Sequence, residues 1–247
     1  MSRIPKTVHF IWLGKGKKPP LVKMCLESWE KAKPEYEIIE WNEDNLGDAL
    51  QANEYIKEAY AAKKWAFVSD YIRLYILYHN GGIYCDTDVE LLKPLDDSFL
   101  ENEAFSGFES RDSVPTGIMA AEKGSKIIEH LLSYYEDKHF INPDGSYNMI
   151  TNVVTITNML TAKGLTLNGK EQIIDGFAMY PQIYFCPNNF SRIFNKPSKK
   201  SYTIHHFAGS WTEDCESARN IIFRIRRWLV GVLRIIIGSD RLTKLKG

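Results

Sequence analysis

Residues 81–92 read Gly-Gly-Ile-Tyr-Cys-Asp-Thr-Asp-Val-Glu-Leu-Leu, and this stretch decides the fold that we expect. A strong helical pattern runs from Trp65 to His79 just before it, and the paired glycines are typical of a helix end. The apolar residues after the glycines indicate an extended segment that is interrupted by charge. The stretch therefore predicts a helix that ends directly before a buried strand.

The residues before this stretch predict a second unit of the same kind. A short apolar run indicates a strand over 7–13, followed by a helix over 21–33 and a strand over 36–41. Strand, helix and strand at this spacing indicate a βαβ unit in a parallel sheet. The remaining elements are predicted as helices at 43–62, 125–138 and 152–163, strands at 104–108 and 117–121, and short strands with loops over 166–204. No linker or repeat divides them, so we expect one α/β domain over 1–216 with a mostly parallel central sheet.

The composition excludes several classes of protein. Lys and Arg together number 31 and balance 31 Asp and Glu, so no overall positive field attracts nucleic acid. The four cysteines form no Cys-x-x-Cys pair, which favours a reducing cytosol over a disulfide framework. No stretch reaches the ~20 apolar residues of a membrane span, and the first residues are too polar for a signal peptide.

Asp86 and Asp88 are the sharpest chemical signal in the sequence. In an extended chain, residues two positions apart point to the same side, so the two carboxylates can converge on one hard cation. Mg²⁺ and Mn²⁺ accept oxygen ligands and keep open positions for substrate phosphates. The pair therefore predicts a metal site, and the alternative interpretation is a charged turn.

Asp70 and Arg73 lie on one face of the preceding helix, three residues apart. Such an ion pair contributes little when it is exposed on the surface. Ala66, Leu74 and Leu77, however, indicate a packed helix. Because the glycines lead from this helix straight into the Asp-x-Asp segment, we expect these polar groups at the carboxyl end of the sheet, where open α/β sheets bind ligands.

Three blocks of the sequence resemble the sugar-transfer region, with its DXD motif, of glycosyltransferase family 32 and, more distantly, of the large glucosylating toxins. The blocks are Ile4–Trp12, Ser69–Arg73 together with Gly81–Asp88, and His205–Trp211. They occur in the order that the family shows and cover most of residues 4–211. The resemblance implies a GT-A fold, which is a Rossmann-like sheet with one nucleotide-sugar site.

The resemblance also implies roles for individual residues. Asp86 would contact the ribose and the metal, and Asp88 would be the main metal ligand. Trp12 would lie against the donor base, although without the resemblance it would be interpreted as a core aromatic. The loop Ser210–Trp211 would close over the diphosphate. The implied donor-binding residues are Trp12, Ser69, Asp70, Arg73, Tyr84, Asp86, Ser210 and Trp211.

A second resemblance concerns the third metal ligand. His206–Gly209 is similar to the His-Phe-x-Gly segment of galactosyltransferases from a neighbouring family, where that histidine completes the metal site. Strand alternation lets only one of His205 and His206 face the metal, and we expect His206. The metal, Mn²⁺ or Mg²⁺, would therefore be bound by Asp86, Asp88 and His206.

These residues predict a glycosyltransferase in which Asp86, Asp88 and Arg73 form the catalytic group. The cation and Arg73 would stabilise the charge that develops on the departing diphosphate. The resemblance implies retention at the anomeric carbon. We expect a front-face reaction, because no convincing carboxylate lies in the sequence to act as a nucleophile.

The resemblance favours a UDP-hexose over GDP-mannose as the donor, because the short prokaryote-like members and the toxin-like Trp12 segment favour UDP. The acceptor would be a glycan or a lipid-linked oligosaccharide in the synthesis of a surface polysaccharide such as a capsule. Family members often carry Gly-Pro near Thr151, where this chain has Thr-Asn-Val-Val. That block lies near the acceptor side in the family, so the acceptor is the part that transfers least.

A haloacid-dehalogenase-like phosphatase is the alternative enzyme class. Asp86-Thr87-Asp88-Val89 resembles the start of its motif, whose first Asp is a nucleophile, and this reading would use both aspartates. Gly82 leaves only three strand residues before Asp86, however, and no suitable acidic pair follows downstream. A non-catalytic membrane-binding module is a third interpretation, which only the C-terminal helix supports.

Residues 217–247 predict a basic amphipathic helix and tail behind the catalytic domain. Eight Lys or Arg and one acidic residue occur there. At about 100° per residue, apolar side chains that include Ile225, Trp228 and Val232 fall on one arc, opposite the arginines. This pattern is typical of a helix that lies in a membrane interface through 217–237, and the alternative is packing on the core. We therefore expect a cytoplasmic enzyme, peripheral on the inner face of the membrane.

Overall fold

The computed structural model of the chain describes residues 2–32, 35–115, 117–187 and 197–208. The expected closing residues Ser210 and Trp211 and the C-terminal segment 217–247 lie outside these ranges. Within them, no helix combines the length and the apolar character that a membrane span requires. The three described cysteines are free and buried.

The described residues form nine strands, which are β1 (Thr7–Ile11), β2 (Glu37–Trp41), β3 (Gly82–Cys85), β4 (Val89–Leu91), β5 (Ala104–Gly107), β6 (Ile118–Ala121), β7 (Gln172–Ile174), β8 (Phe177–Tyr180) and β9 (Thr203–His205). Seven of them make one sheet in the order β2-β1-β3-β6-β5-β8-β7. Strands β2, β1 and β3 are parallel, as are β5 and β8, whereas β6 and β7 run antiparallel to their neighbours. Five of the seven strands therefore point the same way, which confirms a mostly parallel α/β sheet.

The helices of the described residues are α1 (Pro20–Ala32), α2 (Glu43–Leu46), α3 (Glu54–Ala61), α4 (Trp65–Asn80), α5 (Lys126–Ser133), α6 (Asn152–Ala162) and α7 (Gln182–Phe185). The helical region expected over 43–62 is divided, because Asn42 and Asn53 each cap a new helix with a side-chain oxygen. Helix α5 ends earlier than expected. The N–H groups of Tyr135 and Glu136 donate to carbonyl groups only three residues back, and the Tyr135 side chain is buried in the core.

Two hydrophobic clusters lie on the two faces of the sheet. Tyr84 packs with α3, α4, α5 and α6 on one face, whereas its neighbours Ile83 and Cys85 pack with Trp29 of α1 on the other. This alternation is what a strand buried on both faces requires. The predicted central sheet is therefore a layer with helices on each side.

The junction of α4 and β3 follows the prediction closely. Helix α4 ends at Asn80, and Gly81 has a positive φ of 68° while its N–H donates to the carbonyl O of Leu77. Gly82 also has a positive φ, of 99°, and a Cβ there would lie 2.7 Å from the carbonyl O of Thr7. Both glycines are thus required, and β3 can lie directly beside β1.

A small second sheet pairs β4 with β9 in antiparallel register, so that Val89 lies opposite His205. The Trp29 indole Nε1 donates to the carbonyl O of Val89 at 2.8 Å and ties this sheet to α1. The pairing brings residues far apart in the sequence to the end of β3.

Candidate active site

The candidate site lies at the carboxyl edge of the parallel strands. Strands β1 and β3 are neighbours with His9 opposite Tyr84, so Ile11 is level with Asp86. Trp12 and the Asp-x-Asp stretch therefore leave the sheet at the same edge. This is the edge at which α/β sheets bind ligands.

The Asp-x-Asp stretch is a turn between β3 and β4 and not an extended strand. The Val89 N–H donates to the carbonyl O of Asp86 at 3.0 Å, which closes the turn. We expected the two carboxylates to converge by strand alternation, and this expectation is wrong. They converge because the turn is held on both sides, by a bond from the Asp86 N–H to Gly117 O and by one from the His206 N–H to Asp88 O.

Asp86, Asp88 and His205 form a cluster whose chemistry fits a divalent cation. One ligand atom from each residue lies within 4.8 Å of the others. Two carboxylates and one imidazole suit Mn²⁺, and the carboxylates also suit Mg²⁺. Asp88 is fixed in place, because its Oδ2 accepts the Ala208 N–H at 2.8 Å and its Oδ1 lies 3.2 Å from His205 Nε2.

Electrostatics keep Asp88 ready to bind a cation. Burial favours the neutral carboxyl, but the hydrogen bond and charge of His205 and the Ala208 N–H together outweigh it and hold the pKa of Asp88 below its ordinary value. The same contact raises the pKa of His205, which burial alone would lower. The Phe207 ring stacks on the imidazole with 4.1 Å between centroids, and Cys186 also interacts with it. Both neighbours restrict the imidazole orientation.

The histidine beside the aspartates is His205, where His206 was expected. The His206 ring lies on the other side of the chain, with Nε2 2.9 Å from Glu90 Oε2. The two histidines do point in opposite directions, as the alternation argument required. The side that faces the carboxylates is set by the register of β4 and β9, in which His205 is the paired residue.

Arg73 connects the helix α4 to the Asp-x-Asp turn. Its Nη2 lies 3.3 Å from Asp70 Oδ1 and 3.1 Å from Asp86 Oδ1, and its side chain is only 9% exposed. Burial disfavours the charged guanidinium, but Asp86, Tyr84 and Asp70 more than compensate and raise the pKa of Arg73. The Asp70–Arg73 ion pair predicted on α4 is therefore buried, and Arg73 also contacts Asp86 of the candidate metal site.

Tyr84 and Ser69 support this arrangement from within the protein. The Tyr84 hydroxyl donates to Asp86 Oδ1 at 2.9 Å, and the Arg73 guanidinium lies 4.7 Å from the centre of its ring. Tyr84 is buried, so it positions the two charged groups and is not open to a ligand. The carbonyl O of Ser69 accepts a bond from Arg73 Nε at 3.2 Å.

Trp12 is half-buried, in keeping with the core-aromatic interpretation, and its contact with a donor base stays a prediction. It packs against the core cluster on the α1 face of the sheet. Its indole Nε1 donates to the carbonyl O of Gly16 at 2.8 Å, and the Lys18 ammonium lies 5.7 Å from its ring centre. The expected closing residues Ser210 and Trp211 lie outside the described residues.

Asn152, to which the sequence gave no role, is the first residue of α6 and lies beside Asp70. Its backbone N–H donates to Asp70 Oδ2 at 3.0 Å. Burial raises the pKa of Asp70 to about 6, against the opposing effects of Arg73 and this N–H. The side chain of Asn152 is buried, and its Nδ2 has no hydrogen-bond partner among the described residues. A buried free donor at this position can bind a ligand oxygen.

Gly117 is a second residue that the sequence did not single out. A Cβ at this position would lie 2.9 Å from Asp86 Oδ2 and 3.2 Å from His205 Cε1. Only a glycine therefore lets the start of β6 pass behind the cluster. The signal in the sequence was a glycine directly before an apolar strand, which is too common to mark a site.

Comparison with known proteins identifies the segment that carries Asp70, Arg73, Asp86 and Asp88. Residues 19–106 match the family described as "Glycosyltransferase sugar-binding region containing DXD motif". "Subversion of eukaryotic traffic protein A" of Legionella pneumophila is 24% identical over 169 residues, which are 56% of this chain and 26% of that protein. The chain thus spans about a quarter of the length of this relative.

The fold has a counterpart among solved structures. The structure described as "PaToxG Glycosyltransferase" superimposes with a TM-score of 0.50 and 20% identity, over 65% of this chain and 69% of that one. These findings do not favour the phosphatase alternative. A glycosyltransferase sugar-binding region with its DXD motif at residues 86–88 therefore lies in this chain, on the GT-A fold of glycosyltransferases.

Proposed function

We propose that this chain is a metal-dependent glycosyltransferase that moves a hexose from a nucleotide sugar to an acceptor hydroxyl. The observation that carries the proposal is the cluster that Asp86 and Asp88 of the DXD region form with His205, at the ligand-binding edge of a GT-A fold. Arg73 adds a permanent positive charge next to Asp86. The residues expected to act in catalysis are Asp86, Asp88 and Arg73.

Asp86, Asp88 and His205 would hold the cation, which supplies positive charge for the diphosphate when it is bound. The chain's own residues keep the site preorganised. Arg73 and Tyr84 fix the Asp86 carboxylate, and the Ala208 N–H fixes Asp88. Charges held in place in a partly buried site stabilise the leaving diphosphate without reorganisation.

The transfer breaks the bond between the anomeric carbon and the diphosphate oxygen and forms a bond from the acceptor oxygen to that carbon. We expect the acceptor proton to pass to the departing phosphate, with retention at the anomeric carbon. Asn152 contacts Asp70 through its backbone N–H, and its buried side-chain Nδ2 has no partner among the described residues, so this amide suits a sugar hydroxyl.

The donor that we favour is a UDP-hexose, with GDP-mannose as the alternative, and Trp12 is the residue that we expect against the base. The acceptor would be a glycan or lipid-linked oligosaccharide in surface polysaccharide synthesis. In this proposal the catalytic domain covers 1–216, and the basic segment 217–247 brings it to the inner face of the membrane.

One experiment tests the donor and the metal together. A panel of nucleotide sugars with Mn²⁺ should raise the melting temperature of the wild-type chain only for the true donor, because a ligand of the folded state stabilises it. We expect a response to a UDP-hexose. Asp88→Ala should lose this response and reduce transfer by about 100-fold or more, while its circular dichroism stays that of the wild type.

Two outcomes would contradict the proposal. A response to GDP-mannose alone would reverse the choice of nucleotide. Full transfer activity of Asp88→Ala in the presence of EDTA would exclude the metal-dependent mechanism.

A further inference from the structure

The segment 141–154 carries an unusual share of the exposed apolar surface. Eight large apolar side chains stand out as exposed in the described part of the chain, and five of them lie in this segment. They are Ile141, Tyr147, Met149, Ile150 and Val154, which we call the apolar platform. Their exposures run from 39% for Ile141 to 55% for Met149. Exposed apolar groups collected in one place mark an interaction site more often than scattered ones do.

Contacts with Glu58 and Phe140 hold the platform segment in place. Glu58 Oε2 accepts the backbone N–H groups of both Phe140 and Ile141, at 2.7 and 2.9 Å. Ile141 and Tyr147 face each other across an antiparallel bridge, and the Tyr147 ring stacks on the buried Phe140 at 5.2 Å. A segment held by this many contacts keeps its apolar side chains outward as a fixed feature of the fold.

The platform is continuous with the candidate active site. Ile150 precedes Asn152 by two residues, and the Asn152 N–H binds Asp70, which in turn contacts Arg73. Val154 lies in the first turn of the same helix, α6. Ile150 and Val154 of the platform therefore flank Asn152 in the chain, each two positions from it.

A positive charge lies at the edge of the platform. The Lys64 ammonium is 5.4 Å from the centre of the Tyr147 ring. Apolar side chains beside a cation are complementary to a hydrocarbon chain that carries a phosphate.

We infer that the apolar platform binds the hydrocarbon chain of an acceptor glycan that is linked to a lipid through phosphate. This inference rests on the proposed function, because it assigns the acceptor of the same site. The sugar end would lie near Asp70 and Asn152, the phosphate near Lys64, and the chain along Met149 and Ile150.

The composition of the platform distinguishes this occupant from a protein partner. Four of its five side chains are aliphatic, and one short segment supplies all of them. Stable protein interfaces draw on about 20–30 residues a side and are enriched in aromatic residues and Arg. A small aliphatic surface of this size fits a single lipid chain better.

Methionine methyl NMR with farnesyl phosphate as the probe tests the inference on the whole chain. The six methionines give separate reporters, and Met149→Leu identifies the Met149 signal by its loss. Met24 is the internal control, since it is 41% exposed but lies on α1, across the sheet. We expect farnesyl phosphate below its micelle concentration to shift the Met149 signal in a saturable way and to leave Met24 unchanged.

Ile150→Ser should weaken the binding of farnesyl phosphate by about tenfold or more, because it removes the apolar contact between this side chain and the hydrocarbon chain. Ile173→Ser is the matched control, with an isoleucine that is 66% exposed on β7, outside the platform. Lys64→Gln should weaken the binding of farnesyl phosphate but not that of farnesol. Equal effects of the two serine variants, or equal shifts of Met149 and Met24, would overturn the inference.

The donor panel with Mn²⁺ is run on the same variants and separates the two proposals. Ile150→Ser should keep the wild-type donor response, because Ile150 is not part of the donor site. A normal donor response with no shift of Met149 would refute the platform alone. If Ile150→Ser instead changes the sedimentation of the chain without affecting lipid binding, the platform is a contact between two copies.

Discussion

At the scale of the residue, the site depends on which of two adjacent histidines faces the carboxylates. His205 lies with Asp86 and Asp88, whereas His206 pairs with Glu90. We expect His205→Ala to weaken Mn²⁺ binding by at least about tenfold, and His206→Ala to leave it within twofold of wild type. The free Mn²⁺ signal in electron paramagnetic resonance measures both. Loss of binding in His206→Ala alone would reinstate the ligand that the sequence suggested.

Arg73 is the second residue on which the site depends, because the carboxylates of the buried Asp70 and the half-buried Asp86 share it. Replacing it with Met leaves Asp70 and Asp86 without their counter-charge. Removing one partner of a buried ion pair costs about 3–5 kcal/mol. Arg73→Met should therefore lower the free energy of unfolding by about this amount in a urea titration.

The matched control for Arg73 is Lys163→Met. Lys163 forms a 2.7 Å ion pair with Asp175 near the surface, and such pairs contribute about 1 kcal/mol or less. An equally small effect of Arg73→Met would show that water replaces the guanidinium and that the pair is not effectively buried.

At the scale of the element, the junction of α4 and β3 fixes the position of the Asp-x-Asp turn. Gly82→Ala would place a Cβ 2.6 Å from His9 Nε2 and 2.7 Å from Thr7 O, at a φ of 99°. Backbone strain and overpacking together predict a loss of about 3 kcal/mol or more. Thermal unfolding measures this loss.

Gly164→Ala isolates the strain from the overpacking. Gly164 also has a positive φ, of 105°, but no atom lies within 4 Å of a Cβ built there. We expect it to cost about 1–2 kcal/mol, from the backbone conformation alone. Similar losses in the two variants would mean that β1 and β3 can separate to accept the methyl group.

At the scale of the whole molecule, the basic segment 217–247 and the catalytic domain are expected to act together. The full chain should sediment with anionic vesicles at low salt, because each basic residue near such a surface contributes about 1 kcal/mol. A chain truncated after Glu216 should remain in the supernatant but keep its response to the donor. Equal sedimentation of the two chains would leave the segment with a packing role only.

The sequence predicted the elements that carry strong local signals. The glycine pair ended α4 where expected, and the apolar run at the start of the chain became β1. It did not predict the division of the helical region at 43–62 or the early end of α5. There, capping by Asn53 and the burial of Tyr135 outweigh the helical pattern. The positions at which these helices begin and end depend on capping and on side-chain burial, which a periodic pattern of apolar residues does not contain.

By itself, the sequence determined the α/β class, the DXD region and the choice of Asp70, Arg73, Asp86 and Asp88 as candidate site residues, because each belongs to a local pattern. Only the tertiary structure decided that His205 faces the aspartates, that Asn152 binds Asp70, and that Gly117 passes behind the cluster. The physical reason is the same in each case. These residues reach the site through strand register and helix placement, which are set by packing between segments up to 120 residues apart, and no local periodicity records that packing.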